Sequence, residues 1–279
     1  MINTFDYNGK ISIMGIINLT PDSFYDGGKW NVQSEIQSKI EKWIELGIDI
    51  IDVGCESSRP GALPISINEE LNRLKIIIPI IKMFSKTVFS IDTSKPEIAE
   101  FALRNGFKMI NDIYGGFNGD MFEIASKFKC PIIIMHMLGK PENMQDSPRY
   151  NNIMDNLDSY FYSKIELARK FGLTKNQIIL DPGIGFGKRI LDNDKILNNI
   201  NSLKKHGCPI LLGTSRKSFL KVEDGPENRL SNSISTFTIG ILNGANILRV
   251  HDVEESIKVK VFLERYTTNN NINHKLEIN

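Results

Sequence analysis

Cysteine is scarce in this chain: three in 279 residues, Cys55, Cys130 and Cys208, an odd number with no C-x-x-C spacing. That excludes a disulfide framework and a cysteine-built zinc site, and it points to a reduced compartment, the cytoplasm. Apolar runs are short, none approaching the roughly 18 residues a membrane-spanning helix needs, and the N-terminus "MINTFDYNGK" lacks a basic end followed by an apolar stretch. A soluble protein with no membrane partner is therefore expected. Neither charge sign dominates: Lys+Arg 34 against Asp+Glu 33 leaves a formal net charge of +1, and the basic residues are scattered. Nucleic acid is not an expected partner, and any anion must be bound by a local cluster. No linker-like segment and no repeat of 20 to 50 residues divides the chain. One domain over residues 1–266 is expected, followed by a polar, asparagine-rich tail at 267–279 that should fray.

Short β-branched runs recur: "ISIMGII", "IDIIDV", "TVFSID", "KMIND", "PIIIMH", "QIILD", "PILLG" and "NILRVH". They are apolar on both faces, as parallel strands covered by helices must be. Amphipathic stretches such as "VQSEIQSKIEKWIELG" and "NRLSNSISTFTIGILNG" fill the gaps, each ending at a glycine that can stop a helix. Eight strand–helix pairs predict an α/β fold, a single (β/α)8 TIM barrel with mobile loops after strands 1 and 2, in preference to an open doubly wound sheet.

Nearly every run ends in a residue that strand burial would otherwise exclude: Asn18, Glu56, Asp92, Asn111 with Asp112, His136, Asp181, Ser215, and Arg249 with His251. In a barrel these ends converge on the face where catalysis occurs. Asp92, Asn111 and Asp181 supply acceptors and an amide suited to an aminopyrimidinone edge, although Asp92 before "TSKP" also reads as a helix cap. Asn18 and the aspartates of "NLTPDSFYDGG" offer hard oxygens for Mg²⁺, yet the segment also reads as an ordinary turn-rich loop. In "GCESSRPGALPIS", Arg59 suits a phosphate or carboxylate, or else a local pair with Glu56. "GIGFGK" has the wrong spacing for a phosphate loop, so its glycines are read as close approach to a flat ligand, with Phe186 as an apolar wall. "GTSRKS" adds Ser215 and Lys217. His136 has no H-E-x-x-H partner and reads as structural, and His206 and His274 read as exposed. Arg249 and His251, two apart in "RVHD", point the same way after the eighth strand, where barrels often bind phosphate.

From about Met14 to Asp252 the ordered series "MGIINLTPDSFYDGG", "DVGCESSRPGA", "SIDTSKP", "IND", "MHM", "DPGIGFGK", "GTSRKS" and "RVHD" resembles the dihydropteroate synthases of the pterin-binding barrel group. The resemblance implies that 6-hydroxymethyl-7,8-dihydropterin diphosphate and p-aminobenzoate give 7,8-dihydropteroate and pyrophosphate, with Mg²⁺ as cofactor. It implies that Asp92, Asn111, Asp181 and Lys217 hold the pterin, and that Asn18, as metal ligand, works with Arg59, Arg249 and His251 on the diphosphate. Phe24, Ser58, Pro60, Phe186 and Ser215 would border the p-aminobenzoate pocket that sulfonamides occupy. Asp26, Lys217, Arg249 and His251 are the implied catalytic residues, and a homodimer is the implied assembly. The chain departs from the common pattern at Cys55, Ser58, Ile184 and Asn232. A pterin-binding methyltransferase domain or a non-catalytic pterin-binding paralogue would share the barrel. The former would not need the diphosphate clamp, and the latter would bind without turnover.

Overall fold

The computed structural model describes residues 10–20, 29–59, 61–220 and 225–276. Eight strands, β1 (Ser12–Asn18), β2 (Ile50–Gly54), β3 (Val88–Asp92), β4 (Met109–Asp112), β5 (Ile132–Met135), β6 (Ile178–Asp181), β7 (Leu211–Leu212) and β8 (Ile247–Val250), pair side by side in the order β6-β5-β4-β3-β2-β1-β8-β7. Every pairing is parallel. The ring closes through a parallel bridge from Leu180 to Ile210, beside a 2.9 Å bond from the Leu180 N–H to the Pro209 carbonyl. This is the expected (β/α)8 barrel.

The helices are α1 (Lys29–Glu45), α2 (Ile67–Leu74), α3 (Ile78–Met83), α4 (Pro96–Arg104), α5 (Asp120–Phe128), α6 (Ile153–Lys170), α7 (Ile190–Asn199), α8 (Leu230–Leu242) and α9 (Val253–Leu276). As the sequence implies, α1 and α8 are followed by left-handed glycines, Gly47 and Gly244. Helix α9 runs to Leu276.

Two cores result. The larger lies between strands and helices, with Phe89, Phe122, Phe161 and Phe237 among its fully buried side chains. The smaller fills the barrel with one residue from each strand: Met14, Ile50, Val88, Met109, Ile133, Ile179, Leu211 and Ile247. Side chains two apart in a strand share a face. Stepping two residues on from this apolar floor reaches Ile16, Asp52, Ser90, Asn111, Met135, Asp181, Gly213 and Arg249, a layer rich in charge and amide. The strand period thus stacks a polar site directly on a dry base.

Candidate active site

Arg249 organises the polar layer. From β8 its Nε donates to Asp52 Oδ2 on β2 at 2.7 Å, and its Nη2 donates to Asp92 Oδ2 on β3 at 2.7 Å. Asn111, at the register position beside Asp92, donates from Nδ2 to the same Asp52 oxygen at 2.9 Å. One carboxylate oxygen therefore orients both an arginine and an amide. The other, Asp52 Oδ1, is buried with no hydrogen-bond partner among the described residues, as is the hydroxyl of Ser90, its register neighbour. Burial pushes the Asp92 carboxyl up to about 7 against the pull of Arg249, while Asp52, Glu70 and Asp112 push it further in the same direction. Burial alone would disfavour the Arg249 charge, but Asp52 and Asp92 outweigh it and hold that group above its ordinary value.

Across the cleft, Asp181 Oδ1 accepts from the Gly183 N–H at 2.7 Å, which starts the turn after β6. A Cβ on Gly183 would lie 2.0 Å from the His136 carbonyl oxygen, and its φ is +66°, so this turn requires glycine. Burial raises the Asp181 carboxyl, opposed mainly by Lys217. Lys217 follows β7 and donates to the Ile184 carbonyl; its Nζ sits 4.5 Å from the centroid of the Phe186 ring. Burial lowers its ammonium to about 8, although Asp181 favours the charge. Ser215 Oγ accepts from the His251 N–H at 3.1 Å and ties the loops after β7 and β8 together. Thus Ser58, Asp92, Asn111, Asp181, Phe186, Ser215, Lys217, Arg249 and His251 line one cleft of about 460 Å³, open mouth included. The cleft carries acceptors from β3, β4 and β6 and the cations Lys217 and Arg249, which suits a donor-rich heterocycle carrying an anionic tail.

A protein-family model described as "Pterin binding enzyme" matches residues 14–251. This chain belongs to the pterin-binding enzyme family. It is similar to the dihydropteroate synthase of Synechocystis sp., at 40% identity over 259 residues, 91% of this chain and 90% of that protein. A Clostridium difficile dihydropteroate synthase solved in the presence of pteroic acid has a TM-score of 0.85 at 39% identity, covering 94% of this chain and 98% of the other. The Xanthomonas albilineans enzyme solved with 4-aminobenzoic acid has a TM-score of 0.84 at 32% identity, covering 93% and 94% of the two chains.

In this pterin-binding enzyme, several site residues expected from sequence sit apart from the cleft lining. Asn18 is half-buried at the end of β1, and a Cβ on Gly54 would be 3.6 Å from both its Oδ1 and Asp92 Oδ2. Arg59 is exposed, and Glu56 does not pair with it. Instead Lys95 bonds both Glu56 and the buried Glu70, whose Oε1 also accepts from the Thr93 hydroxyl at 2.7 Å. Phe24, Asp26 and Pro60 lie outside the described residues. The capping alternative for Asp92 is not what forms, since α4 has Lys95 at its N-cap and no side-chain cap bond. Asp112, by contrast, accepts from the Tyr114 and Gly116 N–H groups and shapes a turn.

Two assignments change. His206, read as exposed, is buried and lies 3.0 Å from Asp158 on α6, because the 3-10 turn at Ile200–His206 packs against that helix. Asp52 is a site residue that the sequence expectations lack; the signal for it is an acid flanked by Ile51 and Val53 in the buried run "IDIIDV", a place an unpaired carboxylate cannot occupy. Ser58 lines the cleft, and the other three departures from the common pattern are accommodated. Cys55 and Ile184 are fully buried, and Asn232 Nδ2 donates to the Leu220 carbonyl at 2.9 Å.

Proposed function

We infer that this chain acts as a dihydropteroate synthase, joining 6-hydroxymethyl-7,8-dihydropterin diphosphate to p-aminobenzoate with release of pyrophosphate. The observation that carries this reading is the cleft itself, where Asp92, Asn111, Asp181, Lys217 and Arg249 face one another in a chain whose relatives bear that name. In the reaction the pterin CH₂–O bond breaks with its electrons going to the diphosphate, the aniline nitrogen forms the new C–N bond, and that nitrogen then releases a proton. The aniline is neutral near pH 7, so positioning matters more than deprotonation.

The pterin's ring N–H and amino groups are bound by Asp92, Asn111 and Asp181, and Lys217 donates to its acceptor edge. Asp92, half-buried, and Asp181, buried, favour positive charge developing on the pterin CH₂. Arg249, His251 and Arg59 receive the leaving pyrophosphate. Phe186, with Phe24, Ser58, Pro60 and Ser215, bounds the p-aminobenzoate pocket, and Asp26 acts from the first loop. These roles make the substitution dissociative, without a covalent enzyme intermediate.

Among the described residues no group of three or more His, Cys, Asp or Glu side chains could hold a metal ion. A single amide oxygen, that of Asn18, nevertheless fits Mg²⁺, which takes few protein ligands when it shares phosphate oxygens and keeps water. When bound, Mg²⁺ would offset negative charge on the departing diphosphate.

We also assign the chain to the cytoplasm as a homodimer. No described helix is long and apolar enough to cross a membrane, and Ile239, Leu242, Val261 and Phe262 on the adjoining α8 and α9 expose apolar surface for a second copy. The test is formation of dihydropteroate and pyrophosphate from the two substrates with and without Mg²⁺. Equal appearance of both products, lost on chelation, is expected. Pterin binding with neither product formed would refute the reading.

A further inference from the structure

Lys188 lies almost entirely inside the protein, at 4% exposure, where an ammonium is rare without a partner acid. Its three donors meet three acceptors: His136 Nδ1 at 3.0 Å, the His136 carbonyl at 3.1 Å and the Phe186 carbonyl at 3.1 Å. None of these is a carboxylate. Because Nδ1 accepts, the His136 proton sits on Nε2, which donates to Asn156 Oδ1 at 2.9 Å. Burial and then the neighbouring Lys188 push the imidazole down to about 3, so it stays a neutral acceptor. Burial lowers Lys188 itself to about 7, with Asp181 and Asp192 favouring its charge and Lys217 opposing it.

The same His136 carbonyl is the atom against which Gly183 packs, and a Cβ on Gly187 would fall 2.6 Å from the Leu138 carbonyl. The turn from Gly183 to Gly187 therefore lies flat on the backbone that follows β5, with Lys188 tying both together from inside. Phe186, the residue whose carbonyl it grips, turns its ring under Lys217 at the cleft.

We propose that Lys188 is a positioning residue for the second substrate, fixing the turn that holds the Phe186 wall against the end of β5. The proposal rests on the reading of Phe186 as part of the p-aminobenzoate pocket. Holding a wall by its backbone leaves the ring free to pack on ligand, and the tie at the Phe186 carbonyl acts away from Asp92 and Asn111 across the barrel and three residues beyond the Gly183 N–H that holds Asp181. Its loss should therefore be felt unequally by the two substrates.

The test uses the full chain, steady-state constants for each substrate and thermal melts. Lys188→Met keeps the volume and removes the donors; we expect KM for p-aminobenzoate to rise roughly tenfold, as for loss of a charged hydrogen bond. KM for the pterin diphosphate should move less than about threefold, since the tie acts at the Phe186 carbonyl while Asp181 keeps its bond from the Gly183 N–H. A fall in melting temperature alone, or an equal shift of both constants, overturns the proposal by reducing Lys188 to general support. Phe186→Ala separates the layers. If it raises the p-aminobenzoate KM while Lys188→Met does not, the positioning role is wrong and the pocket reading stands. If Phe186→Ala changes nothing, the pocket reading fails and the proposal falls with it. Should Lys188→Met not fold, His136→Leu takes one of the three acceptors from Lys188, together with the donor to Asn156, and should raise the same KM about threefold; an unchanged KM in that variant also overturns the proposal.

Discussion

Removing the Asp52 carboxylate should damage both stability and turnover, although Asp52 was absent from the residues expected to act. Its Oδ2 accepts from Arg249 and from Asn111, and the side chain is wholly buried while that of Arg249 is 20% exposed. Deleting one partner of a buried ion pair costs about 3–5 kcal/mol, and a hydrogen bond to a charged group about 1.5–3 kcal/mol net. Arg249 keeps Asp92 as a partner, so the lower end applies, about 3 kcal/mol for Asp52→Ala. At roughly 2–4 °C per kcal/mol for a chain of this size, the midpoint of unfolding should fall by about 6–12 °C. The same loss releases the arginine and the amide from their fixed orientation, so kcat/KM for the pterin diphosphate should fall by roughly a hundredfold. Asp52→Asn keeps one acceptor and should lie between Ala and wild type. Urea and thermal melts beside steady-state kinetics decide the matter. If Asp52→Ala melts lower but keeps its kinetic constants, the cluster supports the fold without orienting the site; if neither quantity changes, Arg249 and Asn111 are held by other means. Either result refutes the reasoning.

Arg249→Ala should cut turnover by more than tenfold and weaken binding of the diphosphate more than that of a pterin lacking it, measured by calorimetry with both ligands. Asp92 carries a pH signature. Its carboxyl is raised from the ordinary 3.8 to about 7, so the folded protein holds a proton that the unfolded chain has lost between those values. Its contribution to stability is therefore complete below 3.8 and is lost as pH rises through about 7, whereas acceptance of pterin N–H groups, and with it kcat/KM, rises over the upper part of that window; in Asp92→Asn both slopes should flatten, by urea melts and a pH–rate profile. Lys95→Met should destabilise the chain by about 3 kcal/mol or more, since it strands the buried Glu70, while leaving the p-aminobenzoate KM within about twofold; chemical denaturation with kinetics checks both halves.

The barrel could be read from apolar runs on a regular beat because parallel strands leave no solvent face to interrupt them. The residues at strand ends were visible for the complementary reason: Asp181 after three apolar residues, or Asn111 after two, has no purpose in packing. What escaped were pairings across the barrel. That Glu56 would take Lys95 in place of Arg59, or that Asp52 would join Arg249 at a sequence distance of 197, depends on strand register that no local pattern encodes. His206 escaped similarly, since its polar neighbours in "KKHG" hide an inward turn onto α6.

The barrel closes between β6 and β7. β7 is only two residues long, and one bridge together with the Leu180 bond spans the gap, so this is the thinnest seam in the wall. Local opening, followed by amide exchange, should begin there sooner than at the long β1–β2 pairing. Asp181 stands at one lip of the seam, and Lys217 follows from the strand at the other. A ligand touching both becomes the rung the ladder lacks, so saturating pterin should slow exchange along β6 and β7 out of proportion to its effect elsewhere.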